Sequence, residues 1–434
     1  MITTLATVLT TILNRDQVLE LARQFKATER LREIHPADML RALVECALGD
    51  EKRTISTARR HFGKISGFSP EEKAFYERFN AGLVELIEYY LKAVIETGPK
   101  STRPMLKHLL DHAGLADMLA IDGSRFALPS WSKAMFPSTD DTRGGVKLTA
   151  LMSLMSPMLE KFIVTDARQH DRKVLKLPRW LHGLLLLMDR GYFDRKLFVQ
   201  IEDRKGFFIV RWKKNNRPRI TGIRSGLDTS YIGESFRDDL PFEGVVDLDV
   251  AFKMPGGKER EFRLVRLVVG TQHCNDGDKP IELLFVTNLT VEQFTVEQLA
   301  TLYRFRWEVE RLFAICKGVS RLDHLQSGNP HVVHAFVYAS LLAVVLGLQV
   351  CAWMRQQRPE REPSPWRVTT LLLVWLPEIA RAKNRSESLQ TMLSFEAALW
   401  REGVNPNPGR PYTATKYTFE LTWQQACRAP CATY

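Results

Sequence analysis

The spacing of apolar residues divides the chain into helical and strand-rich parts. Up to about residue 112, apolar positions recur at helical intervals, as in Val18–Leu19–Leu21–Ala22 and in Leu40–Leu43–Val44–Ala47. From residue 113, short apolar runs separated by turn residues replace that pattern, and such runs are typical of strands. The pattern therefore predicts a helical N-terminal region, 1–112, followed by a mixed α/β region.

Strand candidates follow one another closely after residue 113. Their sequences are MLAID, VKLTALMS, KFIVTDA, LLLLMD and GFFIVRW, with a charged helical stretch, DRKLFVQIEDRK, before the last of them. Between about 215 and 290, the runs FEGVVDLDVAF, EFRLVRLVVG and IELLFVTN are separated by the turn sequences PGG and NDG. We therefore expect a mixed sheet with a β-rich insertion at about 215–290.

Helical spacing returns in the last third of the chain. Thr295 begins a helix, and Gln298 is placed to complete a capping box with it. A helical C-terminal region is predicted over 331–402, and an irregular tail with the sequence NPNPGRP over 403–434. The strand-rich segment and the helix that begins at Thr295 then form a core region, 113–330.

One apolar run, from Phe336 to Met354, has the length of a membrane span. It contains polar residues, it stands alone, and it follows a strongly charged helix. We therefore expect a buried helix of a soluble protein, with no membrane partner.

The charge balance is basic, with a formal net charge of +11 and a pI of about 9.3. Such an excess favours a polyanionic partner, either nucleic acid or an anionic membrane surface, and does not separate the two. The six cysteines are scattered over a large chain, which favours reduced thiols and a cytoplasmic location.

Two aspartates stand at the ends of apolar runs. Asp122 closes MLAID and Asp189 closes LLLLMD. Reactive groups gather at the carboxyl ends of strands in open α/β sheets, so both are candidates for a metal-binding site. Taken alone, either one is better explained as a turn or cap residue, since DG and DRG are good turn sequences.

The helix that begins at Thr295 carries four polar residues on one side. Tyr303, Arg306, Glu310 and Lys317 lie within about 60° of one another on an ideal helix. A carboxylate between two cations and a phenol suits a phosphate ligand together with a metal ion. The alternative is a surface salt-bridge ladder, for which Arg306 and Glu310 are correctly spaced.

Two basic segments are candidates for DNA contact. One follows the strand GFFIVRW, and its candidate residues are Arg211, Trp212, Lys213 and Lys214. Basic residues beside an aromatic side chain suit backbone contact with base stacking, although a solubilising loop has the same composition. The other, with Arg59 and Arg60, lies in a pattern that fits a helix-turn-helix or an ordinary helical bundle.

Together these motifs resemble a known family. The spacing of Tyr303, Arg306, Glu310 and Lys317 is similar to the Y-R-E-K signature of bacterial insertion-sequence transposases of the IS-four group, which includes the Tn-five transposase. IDGS and MDRGYF resemble that family's two strand-end aspartate motifs. The resemblance covers about residues 113–350 and implies a DDE-type transposase with an RNase H-like core.

The resemblance also implies roles for these residues. Asp122 would bridge two Mg²⁺ ions, with Asp189 on one ion and Glu310 on the other, and Mn²⁺ would substitute. Tyr303, Arg306 and Lys317 would clamp DNA phosphates. Two such ions activate a water and stabilise the leaving oxygen in phosphodiester hydrolysis, and a 3′-hydroxyl in place of that water gives strand transfer.

The expected partner is double-stranded DNA, as terminal inverted repeats and as target, at the bacterial nucleoid. We expect a homodimer in the synaptic complex. A cut-and-paste route through hairpin ends is suggested by the family and left open by the residues. The alternatives are another RNase H-like nuclease and a catalytically inactive, transposase-derived DNA-binding regulator.

Overall fold

The structure is a computed structural model of the 434-residue chain. It describes residues 14–48, 52–98, 103–169, 177, 180–242, 244–254, 256–274, 277–382 and 385–406. Most of the predicted tail, 407–434, lies outside the described residues.

Helices precede and follow the sheet, as the apolar spacing predicts. The helices before the sheet are α1 (Arg15–Gln24), α2 (Pro36–Leu48), α3 (Ile55–Ser66), α4 (Glu72–Tyr76), α5 (Ala81–Thr97) and α6 (Pro104–His112). The later helices are α7 (Arg195–Asp203), α8 (Val296–Arg304), α9 (Trp307–Gly318), α10 (Pro330–Gln357), α11 (Pro365–Arg381) and α12 (Arg385–Glu402). Side-chain caps define several of their first turns, and the predicted capping box of Thr295 and Gln298 is confirmed at α8.

A single mixed sheet of nine strands forms the centre of the described chain. The strands are β1 (Asp117–Leu128), β2 (Gly144–Ser153), β3 (Met158–Asp166), β4 (Leu184–Met188), β5 (Phe207–Arg211), β6 (Arg219–Ser225), β7 (Val246–Lys253), β8 (Glu259–Cys274) and β9 (Gly277–Thr287). Their spatial order is β3-β2-β1-β4-β5-β9-β8-β7-β6. β1, β4 and β5 are parallel neighbours, and the other pairs are antiparallel. The strands expected at 215–290 therefore extend the same sheet.

The two faces of the sheet are buried against different layers. On β1, Met118 and Ala120 face the core shared with the N- and C-terminal helices, whereas Leu119 and Ile121 face a second core that includes residues of α7. Adjacent residues of a strand point to opposite faces, so this alternation fixes the direction of every side chain on β1.

Helix α10 is the central helix of the first core. It packs against α2, α5, α9, α11 and β3. Among the described residues it is the helix long and apolar enough to cross a membrane, and its most apolar window is completely buried inside the protein. The Phe336–Met354 run is therefore a core helix, as expected.

The N-terminal helices are also joined to the end of α9. The fully buried Arg53 donates hydrogen bonds to the carbonyl oxygens of Ala47, at the end of α2, and Ser320, just after α9, at 3.0 and 2.9 Å. A buried guanidinium needs such acceptors, because an unpaired buried charge is strongly unfavourable. The helical region therefore helps to position α9.

Candidate functional site

The register of β1 and β4 places Asp122 and Asp189 side by side. The parallel pairing of these strands ends with Ile121 opposite Met188, so the two aspartates are the next residues on each strand. Asp189 follows β4 directly, as predicted. The prediction that Asp122 closes its strand is wrong, because β1 continues to Leu128 through antiparallel pairing with β2.

Both aspartates lie on the sheet face that carries α8 and α9. Asp122 lies two residues after Ala120, and Asp189 lies two residues after Leu187, so each aspartate points to the same face as that apolar residue. Ala120 and Leu187 both belong to the first core. Buried residues of α8 and α9, including Leu302 and Val309, belong to that core as well. The fold therefore directs both carboxylates toward the helices that carry the remaining candidate residues.

The predicted helix from Thr295 to Lys317 is broken in two. The amides of Phe305 and Arg306 donate to the carbonyls of Leu302 and Tyr303, three residues back, which tightens the chain between α8 and α9. The expectation of one unbroken helix is therefore wrong, although three residues of the predicted stripe stay in contact: Arg306 lies against the ring of Tyr303 and pairs with Glu310. Tyr303 is buried in the core, and Arg306, the residue before α9, turns its side chain toward the sheet.

Arg306 joins two of the three candidate carboxylates. Its Nη1 lies 3.1 Å from Oδ2 of Asp122, and its Nη2 lies 2.6 Å from Oε1 of Glu310. The Arg306 side chain is only 6% exposed. The Arg306–Glu310 pair considered from the sequence is therefore present, but it is not a surface ladder, since Arg306 is buried and also reaches across to Asp122 on the sheet.

The electrostatics of the site favour a bound cation. Burial raises the pKa of Asp122 to about 6, with the negative charges of Asp189 and Glu310 contributing, although the Gly123 amide and Arg306 oppose the rise. Three carboxylates thus share one space with a single guanidinium close to two of them. Such a group is short of positive charge.

Tyr303 is a buried part of this site. Its ring packs 4.6 Å from that of Phe285, and its hydroxyl donates to the Met188 carbonyl at 3.2 Å. Burial raises the pKa of Tyr303 to about 12, which keeps the phenol protonated. Tyr303 therefore fixes α8 to the end of β4, directly before Asp189.

Lys317 is exposed at the far end of α9. Its Nζ lies 5.6 Å from the ring centroid of Phe126, which is four residues beyond Asp122 on the same face of β1. The helix thus runs along the strand, with Glu310 near Asp122 and Lys317 nearer the strand end. This places an exposed cation about 10 Å along the helix from Glu310.

The donor set suits a hard divalent cation in kind. Carboxylate oxygens are the ligands that Mg²⁺ prefers, and three carboxylates interact here. Across the described part of the chain, no three potential ligands are close enough to hold an ion as they stand. In this arrangement Arg306 binds one oxygen of Asp122 and one oxygen of Glu310.

The basic segment after β5 divides into buried and exposed residues. Trp212 is 3% exposed, and its indole nitrogen donates to Oδ1 of Asp238 at 2.6 Å. Its predicted stacking on a base is therefore contradicted, because the ring faces Phe193 and Phe236. Lys213 and Lys214 are exposed, and Arg211 is half-buried at the end of β5.

Arg190 is a candidate that the sequence reasoning missed. It lines a cavity of about 260 Å³ together with Arg211, Lys214 and Arg266. Its position directly after Asp189 was the available signal. Asp238 and Glu282 line the same cavity, and Arg190 is the lining residue that adjoins Asp189 in the chain.

Arg59 and Arg60 lie on α3. Arg59 donates to the Pro70 carbonyl at 3.1 Å, and Arg60 is exposed and donates to the Thr57 hydroxyl at 3.2 Å. The helix is not interrupted at Gly63 and ends at Gly67, whose φ of +71° suits glycine. The next helix, α4, has only five residues. DNA recognition by this segment therefore stays a prediction.

Known proteins match this chain over most of its length. The transposase for insertion sequence element IS231F of Bacillus thuringiensis subsp. israelensis is 21% identical over 392 residues, which cover 81% of each chain. The corresponding IS231C transposase of Bacillus thuringiensis subsp. berliner is 21% identical over 360 residues and 74% of each chain. The putative transposase InsL for insertion sequence element IS186A, from Escherichia coli strain K12, is 36% identical over 64 residues. These residues make up 15% of this chain and 17% of that protein.

The family match covers the site. Residues 114–346 match the transposase DDE domain, a span of more than half the chain that contains all three candidate carboxylates. With the carboxylates gathered on one sheet face and this match across them, the chain belongs to the DDE transposases and is an insertion-sequence enzyme of DNA transposition.

Proposed function

We propose that the chain cuts the ends of its insertion sequence by Mg²⁺-dependent phosphodiester hydrolysis and joins them to target DNA. The observation that carries this proposal is the convergence of Asp122, Asp189 and Glu310 around a single guanidinium. An RNase H-like core is part of the proposal. The order β3-β2-β1-β4-β5, with β2 antiparallel to its neighbours, supports it.

Asp122, Asp189 and Glu310 would hold two metal ions, which supply an activated nucleophile and neutralise the leaving oxygen. Both of the other carboxylates interact electrostatically with Asp122, which supports these three residues as the ones that would hold the metal. The protein's own contribution is positioning. Tyr303 fixes the start of the site, and Lys317 offers a phosphate contact farther along α9.

DNA would lie across this face and reach the basic residues after β5. Arg190, the residue after Asp189, lines a cavity with Arg211 and Lys214, and these cations would contact the DNA backbone. We propose terminal inverted repeats and target DNA as the substrates, a homodimer as the synaptic form, and Arg59 and Arg60 as outer contacts. Processing through hairpin ends belongs to the same proposal.

The metal requirement is tested with a labelled duplex taken from the ends of the element that encodes the chain. We expect nicking with Mg²⁺ or Mn²⁺ and none with EDTA, since the carboxylates need a cation to act on a phosphodiester. Ca²⁺ serves as the control, and should permit binding with little cleavage. Undiminished nicking in EDTA would exclude the two-metal mechanism, and binding without cleavage under every condition would favour the inactive regulator.

The DNA path is tested by replacing Lys213 and Lys214 with alanine. Each phosphate contact contributes a slope of about 0.9 in log K against log salt, so losing two contacts should make the slope shallower by about 1.8. Fluorescence anisotropy at several salt concentrations measures it. The matched control is the double variant Lys92→Ala and Lys107→Ala, which removes exposed lysines paired with Glu88 and Asp111.

An equal change in slope for both double variants would show only a loss of net charge. Trp212→Phe completes the comparison. We expect it to lower the thermal midpoint and to leave the salt slope unchanged, because the indole donates to Asp238 inside the protein.

A further inference from the structure

Arg306 occupies the oxygens that a metal ion would need. Its two terminal nitrogens bind Oδ2 of Asp122 and Oε1 of Glu310, and the side chain is almost fully buried. A guanidinium stays charged at every accessible pH, so it is a permanent counter-ion for these two carboxylates. A cation that approaches these oxygens must compete with Arg306 for their lone pairs and is repelled by the guanidinium charge.

Without Arg306, Asp122 and Glu310 would lose the cation that pairs with both of them. Asp122 is already destabilised as an anion by burial and by its two acidic neighbours. Buried carboxylates in such a position need a partner, and a buried pair that loses one member is strongly destabilised. Arg306 therefore stabilises the arrangement in the absence of metal.

The surroundings of Arg306 also allow it to leave. Its Nε is buried and has no hydrogen-bond partner, so one of its donors is unused. The guanidinium carbon lies 5.6 Å from the ring centroids of both Tyr303 and Trp307, and Trp307 is 54% exposed. A guanidinium that moves outward across Trp307 keeps a favourable contact with an aromatic face.

We propose that Arg306 is an exchangeable counter-ion: it holds Asp122 and Glu310 together in the metal-free protein, yields them to the metal, and is thereby released to bind a DNA phosphate. The proposal rests on the proposed function, since it assumes that these carboxylates bind metal. It adds that Arg306 links metal binding by the carboxylates to binding of a DNA phosphate. The guanidinium suits both partners, because carboxylate and phosphate accept the same two-armed hydrogen bonding.

The test is Mn²⁺ binding by the full chain without DNA, measured from the free Mn²⁺ signal in electron paramagnetic resonance. Arg306→Gln removes the competing charge, so we expect Mn²⁺ to bind about tenfold tighter or more than in the unaltered protein. The thermal midpoint of the metal-free variant should fall. The increase in midpoint caused by Mn²⁺ should be larger in the variant, because metal replaces the lost counter-ion.

Arg311→Gln is the matched control. Arg311 lies on the same helix and pairs with Glu308 at 3.0 Å, outside the carboxylate group. Its loss should leave Mn²⁺ affinity unchanged. Arg306→Lys covers the case in which the glutamine variant does not fold. Lysine keeps the charge but cannot bind both carboxylates at once as arginine does. Its Mn²⁺ affinity should therefore lie between that of the unaltered protein and that of Arg306→Gln.

Equal Mn²⁺ affinity in the unaltered protein and in the foldable Arg306 variants would overturn the proposal and leave Arg306 as a phosphate contact only. Absence of Mn²⁺ binding in these variants would overturn it as well. Neither outcome concerns the proposed function, which fails on a different measurement, metal-dependent nicking by the unaltered protein.

Discussion

Replacing Asp122 by asparagine should reduce the rate of DNA nicking on the order of 10³-fold or more, because the carboxylate that interacts with both other acids is lost. Asparagine has the size of aspartate, and its side-chain oxygen can still accept the hydrogen bond from the Gly123 amide. The fold should therefore survive. Affinity for the terminal DNA should change little, since the phosphate contacts lie elsewhere. Single-turnover nicking and anisotropy on the same preparation measure the two quantities.

The matching substitutions Asp189→Asn and Glu310→Gln should have effects of similar size. Double variants should be no worse than single ones, because each change removes the same step. Asp111→Asn is the control: Asp111 is an exposed acid paired with Lys107. Near-normal nicking by Asp189→Asn, with Asp122→Asn inactive, would show that the second metal-binding carboxylate is a different residue.

Replacing Arg263 by methionine should lower the free energy of unfolding by about 3–5 kcal/mol, the usual result of removing one member of a buried ion pair. Arg263 is 4% exposed, and its Nε and Nη2 each lie 2.8 Å from the Asp247 carboxylate. Its Nη1 donates to the carbonyls of Thr290 and Phe294 at 3.1 and 2.7 Å. The substitution therefore leaves two carbonyls without this donor and leaves the buried Asp247 carboxylate with the longer contact from Arg224.

These contacts also connect the sheet to α8, which precedes the helix that carries Glu310. Thr290 and Phe294 lie in the turn just before α8, so Arg263 on β8 fixes where α8 begins. Denaturant unfolding measures the stability change. Arg219→Met is the control, because the Arg219–Glu259 pair is exposed at 48% and 36% and should contribute at most about 1 kcal/mol.

Equal losses for the two arginine variants would mean that burial of the Asp247 pair has no special effect. Arg224 limits the loss of stability, since it lies 3.5 Å from the Asp247 carboxylate and can replace part of the lost charge. The smaller value in the range, about 3 kcal/mol, is therefore the better expectation.

The local pattern by itself determined the identities of the chemical groups and most of the elements. The strand ending at Asp189, the capping box of Thr295 and the strands at 215–290 depend on short-range spacing, which a single segment contains. The three candidate carboxylates were predicted from their motifs and lie within the family match over 114–346, and their catalytic role is part of the proposed function.

Other features depended on partners distant in the chain. β1 continues past Asp122 because β2 pairs with its second half, and nothing within MLAIDGS specifies that hairpin. Trp212 is buried because Phe193, Phe236 and Asp238 surround it, although its own neighbours are basic and solvated. A local composition of this kind fits either a DNA-binding loop or a core residue.

The most consequential features were decided only by the tertiary structure. An unbroken helix from Thr295 to Lys317 satisfies local propensity, yet burial of Tyr303 and the reach of Arg306 to Asp122 accompany a break at 305–306. The apolar run of α10 is equally suited to lipid and to a protein interior, because both are apolar solvents for a helix. The helices packed around it supply that interior, since a sequence specifies how apolar a segment is and only the fold specifies what surrounds it.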